Sequence, residues 1–585
     1  ASQMQSPMAT IESEQRDKRN RILSINGDVQ IKFTKDLSYR GTVGIRKRTI
    51  NTDVFYSERS KQAKNAGAPY GWKEIEEQQN FMYNNVITWD KTFNKEHHLT
   101  LVGGQEFIQY KTDYLKAGAR KFDKVNFGLA DMSLGASPDK VVTLLESDKM
   151  LSYFMRANYN FKEKYLFAAS VRADGSSKFG ANHKWGIFPA ASFAWRASEE
   201  DFIKELGVFS NLKLRLSYGT AGNNKINNYL SLSKMGSVWI PYNGESTVAG
   251  FVSKQLHNPD LQWETNVTAN LGVDVGFLNQ RIQLSVDIYN IETKDLLLDA
   301  PVPLLSGYKT MMINAGKTNN KGIEVAITTH NIQTKDFSWS TTLTWSMDRN
   351  RIDELSNGRT EDVNNKWFVG EEIGVYYDWV YDGIWKTEEA EEAAKYGRKP
   401  GQIKVKDLNN DDTIDANDDK KIVGHTRPRW TGGWSNTFSY KNFELSIFIL
   451  SRWGFTVPQG AVTLDGRYMQ RKIDYWVAGT NENAKYYSPG SNGEGADAFN
   501  SAMNYQDGSY IKVRNISLGY NFTPQQLKNL GINNLKLYVQ AMNPFNIYKA
   551  CDFLDTDLVN YDNNTKTFGS PTTLKSFVIG VNIGF

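Results

Sequence analysis

The residues best suited to chemistry form one acidic stretch, DLNNDDTIDANDD at 407–419. Oxygen-bearing side chains recur there at the spacing of a twelve-residue calcium loop. Position 6 is aspartate instead of the usual glycine, and position 12 is aspartate instead of glutamate, so a solvated acidic loop without an ion is the alternative. A calcium ion would be structural, because it would order the long loop around it. The predicted ligands are Asp407, Asn409, Asp411, Thr413 through its carbonyl oxygen, Asp415 and Asp418.

Aromatic residues that lie outside the predicted strands are a second set of candidates. Their rings could stack on a bound ligand, whereas packing within the loop is the alternative for each of them. The predicted substrate contacts are Trp239, Tyr242, Trp367, Tyr377, Trp379, Tyr381, Trp385, Tyr475 and Trp476.

Motifs for covalent catalysis are missing from the sequence. It contains no H-E-x-x-H, G-x-S-x-G or P-loop pattern. Paired carboxylates such as Glu76–Glu77 and Glu371–Glu372 lie in polar segments, which is typical of solvated charge. The sequence therefore predicts a protein that is not an enzyme.

Composition and length narrow the class of protein. The 585 residues exceed one ordinary soluble core, and a net charge of +4 is too small for this length to suggest nucleic-acid binding. No apolar run reaches the length of a transmembrane helix, and the single cysteine, Cys551, excludes an internal disulfide. Because the chain begins at Ala1 in a polar stretch, we expect that the N-terminal part of a longer protein is missing.

About seventeen segments alternate apolar and polar residues with the period of a strand. In the last one, Phe577, Ile579 and Val581 share one face, and Ser576, Val578, Gly580 and Asn582 lie on the other. Short turns join every other pair of segments, and mostly long connections lie between them. The fold class is therefore predicted to be all-β, a transmembrane antiparallel barrel with long extracellular loops and short periplasmic turns. The segments lie near 22–34, 37–47, 79–91, 96–110, 150–161, 163–173, 183–197, 211–221, 262–278, 280–294, 316–331, 335–347, 427–440, 442–454, 507–522, 533–545 and 572–585.

Strand parity and loop lengths suggest how the chain is divided. A closed single-chain barrel needs an even number of antiparallel strands, so an odd count of about seventeen implies missing upstream strands of a barrel of about 22. Residues 1–585 are then the C-terminal part of the barrel. Residues 348–426 form a large extracellular loop insertion that carries the calcium-loop-like motif.

Seven stretches, in the same order along the chain, resemble the SusC/RagA-type TonB-linked outer-membrane transporters. RADGSSKFG in particular is expected to form a tight hairpin that turns at Asp174–Gly175. The stretches are RADGSSKFG (172–180), WGIFPAASFAWR (185–196), LKLRLSYGTAGN (212–223), NPDLQWE (258–264), YNIETKDLLL (289–298), NAGKTNNKGIEV (314–325) and SYIKVRNISLGYN (509–521).

This resemblance implies a nutrient importer in the outer membrane of a Bacteroidetes-like Gram-negative bacterium. It implies a SusD-like lipoprotein lid, an N-terminal plug through which TonB acts, and pairs of transporter and lid that can dimerise. It also implies contact with outer-membrane lipid. The expected cargo is an oligosaccharide, and an oligopeptide is the alternative. The loop aromatics could also contact the lid, and many relatives carry a D-x-N-x-D loop like that at 407–419.

Three further alternatives remain open from the sequence. A passive porin or surface-binding barrel would use the same strands without energy coupling. A barrel enzyme would need a nucleophile, a base and an orienting group near the mouth. A soluble array of β-sandwiches would bury the apolar strand faces that a membrane barrel turns toward lipid.

Overall fold

The computed structural model describes residues 7–123, 125–242, 246–458, 474–488, 497–528, 531–551, 556–558 and 574–585. Its strands are β1 (Glu14–Lys32), β2 (Leu37–Tyr56), β3 (Tyr70–Phe93), β4 (His97–Phe122), β5 (Gly135–Pro138), β6 (Val142–Phe161), β7 (Tyr165–Ser176), β8 (Trp185–Arg196), β9 (Phe209–Asn223), β10 (Lys234–Tyr242), β11 (Ser246–Gln255), β12 (Glu264–Phe277), β13 (Ile282–Lys294), β14 (Leu297–Pro301), β15 (Thr310–Asn314), β16 (Lys317–Gln333), β17 (Phe337–Glu354), β18 (Glu361–Asp362), β19 (Trp367–Phe368), β20 (Val375–Trp379), β21 (Tyr381–Ile384), β22 (Ile403–Val405), β23 (Lys420–His425), β24 (Trp430–Tyr440), β25 (Phe443–Trp453), β26 (Thr456–Pro458), β27 (Tyr505–Asp507), β28 (Tyr510–Asn521), β29 (Asn534–Lys549) and β30 (Ser576–Gly584).

Helices are short in the described ranges, and none of them is long and apolar enough to cross a membrane. The α-helices are α1 (Pro7–Ser13), α2 (Lys61–Ala66), α3 (Asp201–Lys204), α4 (Ala390–Lys395) and α5 (Pro524–Leu527). The 3-10 turns are Val125–Phe127, Met132–Leu134, Ala197–Glu199, Leu304–Ser306, Ser356–Gly358, Thr387–Glu389, Asn500–Asn504 and Thr556–Leu558.

Each predicted strand segment corresponds to a strand of the structure, so the all-β class is confirmed. Several strands are longer than predicted: β2 continues to Tyr56 and β3 begins at Tyr70. Their added residues pair with each other in unbroken antiparallel register. Apolar alternation ends where a strand leaves an apolar environment, but backbone pairing continues, so the pattern underestimates strand length.

The chain forms two compact units. The first consists of residues 1–194, 217–267 and 293–315, and the second of 195–216, 268–292 and 316–585. In the first unit, β1, β2, β3, β4, β6 and β7 pair antiparallel in that order, with β5 added to the end of β4. In the second, β16, β17, β24, β25, β28, β29 and β30 do the same.

The short connections are tight turns with a backbone that suits strand twist. Asn94 and Lys95 between β3 and β4, and Lys162 and Glu163 between β6 and β7, all have positive φ. Two consecutive residues of positive φ are typical of type I′ hairpin turns, which match the right-handed twist of the paired strands.

Apolar side chains line up on one face of the second unit and are exposed there. Leu518 on β28 lies opposite Val539 on β29, which lies opposite Ile579 on β30. The side chains of all three are more than one-third exposed. A soluble sandwich would bury such a row, whereas a membrane strand presents it to lipid.

The turn predicted at Asp174–Gly175 is wrong. Strand β7 runs through both residues to Ser176. Asp174 accepts a hydrogen bond from Nε of Arg172 at 2.7 Å, and a Cβ on Gly175 would lie 2.8 Å from the Trp185 ring. The glycine is therefore needed for a close approach by the next strand and not for a turn.

Candidate functional site

Two long connections of the second unit fold together into one structure, which we call the loop module. It comprises residues 355–429 and the described parts of 454–509, namely 454–458, 474–488 and 497–509. Within it β20 pairs with β23 and β21 with β22, and aromatic residues of the second connection cover these small sheets. The buried core consists of Ile384, Ile403, Val405, Trp476, Ala484, Tyr486, Tyr487 and Ala502.

A buried ion pair joins the two connections. Nη2 of Arg398 donates to both carboxylate oxygens of Asp497 at 2.5 Å, and the side chain of Asp497 is fully buried. The backbone N–H groups of Ile403 and Phe499 donate to the same carboxylate at 3.3 and 2.9 Å. A buried carboxylate is tolerated only when it is paired and hydrogen-bonded, so this cluster determines how the connections dock.

Asp378 on β20 makes a second polar link. It accepts hydrogen bonds from the Tyr505 hydroxyl at 2.7 Å and from Oγ of Ser501 at 3.1 Å. Burial, followed by the hydrogen bond to Asp378, raises the pKa of the Tyr505 phenol above its ordinary value. Tyr505 is therefore a neutral hydrogen-bond donor at physiological pH.

His425 at the end of β23 is a partly buried histidine of the module. Its Nδ1 lies 3.3 Å from Oε2 of Glu372, while Oε1 of Glu372 accepts from Arg429 at 2.5 Å. Burial lowers the pKa of the imidazole; Glu372 and Glu371 oppose this effect, and Arg429 and Arg349 add to it. His425 is therefore neutral at pH 7.

Three of the predicted substrate contacts lie within the packing of the module. Trp385 and Trp476 are only 3% and 6% exposed, and the ring of Trp379 lies 5.1 Å from that of Phe499. The Nζ of Lys404 is 4.2 Å from the centre of the Trp385 ring. These three rings stabilise the loop module, and in this conformation Trp385 and Trp476 offer little surface to a ligand.

The other predicted contacts differ in environment. Tyr381 and Tyr475 are accessible, with 39% and 44% of the residue exposed. Trp367 and Tyr377 are half-buried, and the Tyr377 ring lies 4.9 Å from that of Phe368. Ligand contact by any of these residues stays a prediction. Trp239 and Tyr242 are in strand β10, but their side chains lie outside the described residues.

The acidic stretch 407–419 connects β22 to β23 and hydrogen-bonds to its own backbone. The carboxylate of Asp407 accepts from the N–H groups of Asn410 at 2.7 Å and Asp412 at 2.9 Å. Asn410 and Asp412 both have positive φ, a conformation that asparagine and aspartate tolerate better than most residues. The loop therefore turns without the glycine expected at position 6.

Asp419, outside the predicted ligand set, holds the two ends of this loop together. It is fully buried and accepts from the backbone N–H groups of Leu408 and Asp415 at 2.7 and 2.8 Å. Within the described ranges, no three His, Cys, Asp or Glu side chains are placed so that they could hold one metal ion. Calcium binding by the predicted ligands stays a prediction of the sequence.

In the first unit, one face of strands β2, β3, β4 and β6 forms an open cleft of about 560 Å³, which we call the basic cleft. Arg46 and Arg48, two residues apart on β2, lie in its wall, and Lys178 follows β7 at the other side. Asn80, Tyr110 and Asp148 also line the cleft. Side chains alternate between the two faces of β2, so Val43 and Ile45 lie on the face opposite the cleft, where they are exposed.

The second unit has a smaller cleft of about 380 Å³ with a different lining, rich in hydroxyl groups. The carboxylate of Asp287 in its wall is paired: Nη1 and Nη2 of Arg215 donate to it at 2.8 and 2.9 Å. Arg215 also holds Asp274, and a Cβ on Gly272 would lie 2.5 Å from its guanidinium carbon. Gly272 thus makes room for the paired arginine, as glycines inside strands often do.

Comparison with known families shows to which family of proteins the chain belongs. Residues 7–535 match the family described as "TonB dependent receptor-like, beta-barrel". The chain belongs to this family. The resemblance to SusC/RagA-type transporters is confirmed by relatives that match along most of the chain.

Two curated receptors illustrate the similarity. TonB-dependent receptor P3 of Formosa agariphila is 31% identical over 552 residues, which cover 89% of this chain and 54% of that protein. TonB-dependent receptor SusC of Bacteroides thetaiotaomicron is 27% identical, with 94% of this chain and 55% of that protein covered. The chain therefore spans about half the length of the curated relatives it matches.

Solved structures support the same fold. A structure of the RagAB peptide transporter superposes with a TM-score of 0.79 at 22% identity and covers 92% of this chain and 59% of that chain. The RagAB importer in its "open-open" state gives a TM-score of 0.81 at 21% identity, with 98% and 62% covered.

As a TonB-dependent receptor barrel chain of SusC type, the protein is located in the outer membrane. The exposed apolar row on β28, β29 and β30 is the kind of face that a membrane strand presents to lipid, and the extracellular position of the loop module stays a prediction of the sequence. The Phe443 and Tyr520 rings, 4.9 Å apart at the short-turn end of β25 and β28, are placed as interfacial aromatics commonly are.

Sequence reasoning missed the basic cleft. The available signal was the pair of arginines at i and i+2 in GIRKRT, which places two cations on one strand face. Their surroundings could not be predicted, because they depend on which residues of β1 and β3 lie opposite them.

Proposed function

We propose that the complete protein imports an oligomeric nutrient across the outer membrane by TonB-dependent transport, with an oligosaccharide as cargo. The family match over residues 7–535 carries this proposal. The proposed partners are a SusD-like lipoprotein lid, TonB acting through an upstream plug region, and outer-membrane lipid. The proposed assembly is a dimer of transporter–lipoprotein pairs.

In this mechanism, cargo is captured between the extracellular loops and the lid and released inward when the plug moves. The rigid core of the loop module suits a docking platform, because its buried ion pair and aromatic core hold two connections in one arrangement. No covalent step is proposed. Among the predicted contacts whose side chains the structure describes, Tyr381 and Tyr475 are the most exposed residues, so they are the first to test for cargo contact.

Oligopeptide import is the alternative cargo class. The observation that favours it is the structural likeness to a protein described as the RagAB peptide transporter. A passive porin or surface-binding barrel is a second alternative, and it differs in needing no energy from TonB.

The test is uptake by the native bacterium with and without the full-length receptor. We expect deletion to abolish growth on one class of oligosaccharide, and loss of TonB to have the same effect. The receptor purified in detergent should carry a SusD-like lipoprotein, identified by mass spectrometry. Growth lost on peptides instead would favour the alternative cargo, and uptake that persists without TonB would contradict active import.

A further inference from the structure

We propose that the basic cleft binds the carboxylate groups of an acidic oligosaccharide, such as an oligomer of uronic acids, on its way through the receptor. This inference rests on the proposed import function and names the substrate class. The charge and the unused hydrogen-bonding groups of the cleft wall support it. The cleft lies on the face opposite Val43 and Ile45, which in a barrel of this family is the interior face.

Arg46 is an unpaired cation in this wall. Its cross-strand neighbours are Ser24 on β1 and Asn80 on β3, and both are neutral. The side chain is exposed, and no described residue makes a hydrogen bond or an ion pair with its guanidinium group. Its N–H donors, in the fork geometry that fits a carboxylate, are therefore available to a ligand.

Arg48 extends the positive charge along the same strand face. Its Nε donates to the neutral Oδ1 of Asn20 at 3.1 Å, and no carboxylate of the described chain lies within ion-pair distance of it. Glu76 on the neighbouring strand accepts instead from Nε2 of Gln78 at 2.6 Å. Alternate residues of a strand are about 6.8 Å apart, so the two arginines can reach successive acidic units of one oligomer.

The far side of the cleft adds a third cation and one carboxylate. Nζ of Lys178 donates to the backbone oxygen of Ile226 at 3.0 Å, a neutral partner. Asp148 supplies the negative charge and interacts electrostatically with Lys178, so the two arginines are left in excess. A concave wall with excess positive charge concentrates anionic ligands.

Two neutral groups favour a sugar over a peptide as the bearer of the carboxylates. Oδ1 of Asn80 is buried and has no hydrogen-bond partner among the described residues, so it can accept from a ligand hydroxyl group. Tyr110 lies directly opposite Asn80 on β4 and is half exposed, so its ring can pack against a sugar ring. A uronic acid unit offers hydroxyl groups, a ring face and a carboxylate together.

The experiment measures binding of defined oligomers to the full-length receptor in detergent by isothermal titration calorimetry. The probes are an oligogalacturonate, a neutral galactose oligomer of the same length and an oligoglutamate. The variants are Arg46→Gln, Arg48→Gln and the double variant. Lys47→Gln is the matched control, because it removes the same charge from the opposite strand face, where Lys47 pairs with Glu77 at 2.9 Å.

We expect the oligogalacturonate to bind more tightly than the neutral oligomer and its affinity to fall with added salt. Each arginine substitution should weaken it about tenfold or more, since charge-assisted hydrogen bonds are lost. Lys47→Gln should leave the affinity unchanged, and binding of the neutral oligomer should be insensitive to all the variants.

Three results would overturn the proposal: equal binding of neutral and acidic sugars, an equal loss with Lys47→Gln, or tighter binding of oligoglutamate. A fall in melting temperature of the ligand-free double variant would also contradict it, because the arginines would then have a structural partner. If wild-type cells take up a neutral oligosaccharide in a TonB-dependent manner but no acidic one, the import function stands and only the acidic substrate class fails. Deletion of TonB tests the import function separately, because it should abolish uptake of every cargo of the receptor.

Discussion

Arg398 in the loop module and Arg46 in the basic cleft are chemically identical side chains in very different surroundings. Arg398 is largely buried and donates to a carboxylate that water does not reach. Arg46 is exposed and faces only neutral cross-strand neighbours. The buried carboxylate makes the first arginine structural, whereas free donors make the second one available for binding.

The aromatic residues of the two regions differ in the same way. Trp385 and Trp476, which the sequence marks as candidates for cargo contact, are part of a hydrophobic core. Tyr110, which lies in a strand and was not a candidate, has an accessible ring beside unused polar groups. Position in a loop is thus a weaker guide to ligand binding than the partners a side chain already has.

The largest expected effect comes from breaking the buried pair. Arg398→Ala leaves Asp497 buried without a charge partner, which costs about 3–5 kcal/mol. Hydrogen exchange of the full-length receptor should become faster across the loop module and remain unchanged in strands such as β3. Lys406→Ala is the control, because its contact with Asp382 at 3.6 Å is exposed. Unchanged exchange in the Arg398 variant would show that the pair does not hold the module.

Two adjacent residues separate packing from binding within the module. Trp476→Ala should destabilise the module by about 3–5 kcal/mol through the cavity it leaves. Tyr475→Ala should leave thermal stability unchanged, and it should weaken cargo binding if the predicted contact is correct. Melting temperature and cargo affinity, measured on both variants, check this. Equal destabilisation by the two substitutions would contradict the difference in burial.

Calcium is expected to have a smaller effect on the same module. If the acidic stretch binds the ion, calcium at ten times its dissociation constant should stabilise the module by about 1.4 kcal/mol. Thermal melts with calcium and with a chelator measure this. Asp411→Asn should remove the shift, whereas Asp412→Asn, at a position without a predicted ligand, should keep it. Identical melts in both conditions would show that the hydrogen bonds of Asp407 and Asp419 suffice.

Acidification should loosen the module through His425. Since burial lowers the pKa of this imidazole in the folded protein, the unfolded state binds the proton first as pH falls. The contribution of His425 to stability should be constant above about pH 6.5 and decline below it. Melting temperatures of the wild type and His425→Gln between pH 8 and 5 test this. A parallel decline in both proteins would assign the effect to another group.

The smallest expected effect is on the stability of the basic cleft. Arg46→Gln with Arg48→Gln should change the free energy of unfolding by no more than about 0.5 kcal/mol, because no buried pair is broken. Chemical or thermal unfolding in detergent measures it. A loss comparable to that of Arg398→Ala would remove the distinction between the two regions.

Much of the fold could be predicted because the signals are local. Alternation identified most of the long strands but missed β10 and β11, which lie in a predicted long connection. The sorting of short turns and long connections indicated a membrane barrel. The misplaced turn at Asp174–Gly175 shows the limit of this approach. The dipeptide Asp-Gly is typical of a turn. The same dipeptide also occurs inside a strand where a neighbouring ring, here Trp185, requires the glycine.

The residues of the candidate sites could be predicted only in part. The acidic stretch and the loop aromatics were found because their spacing and composition are visible along the chain. The role of Asp419 could not be predicted, since it depends on two backbone N–H groups brought together by the loop.

The sequence by itself therefore determined the strand pattern, the family and the outer-membrane location, because each depends on residues near one another in the chain. Only the tertiary structure decided which aromatic rings are core and which cations are unpaired. Those outcomes depend on contacts such as Arg398 with Asp497, almost a hundred residues away, and on the register that places Ser24 and Asn80 beside Arg46. Alternation specifies which face a residue occupies, but only strand pairing specifies its neighbour.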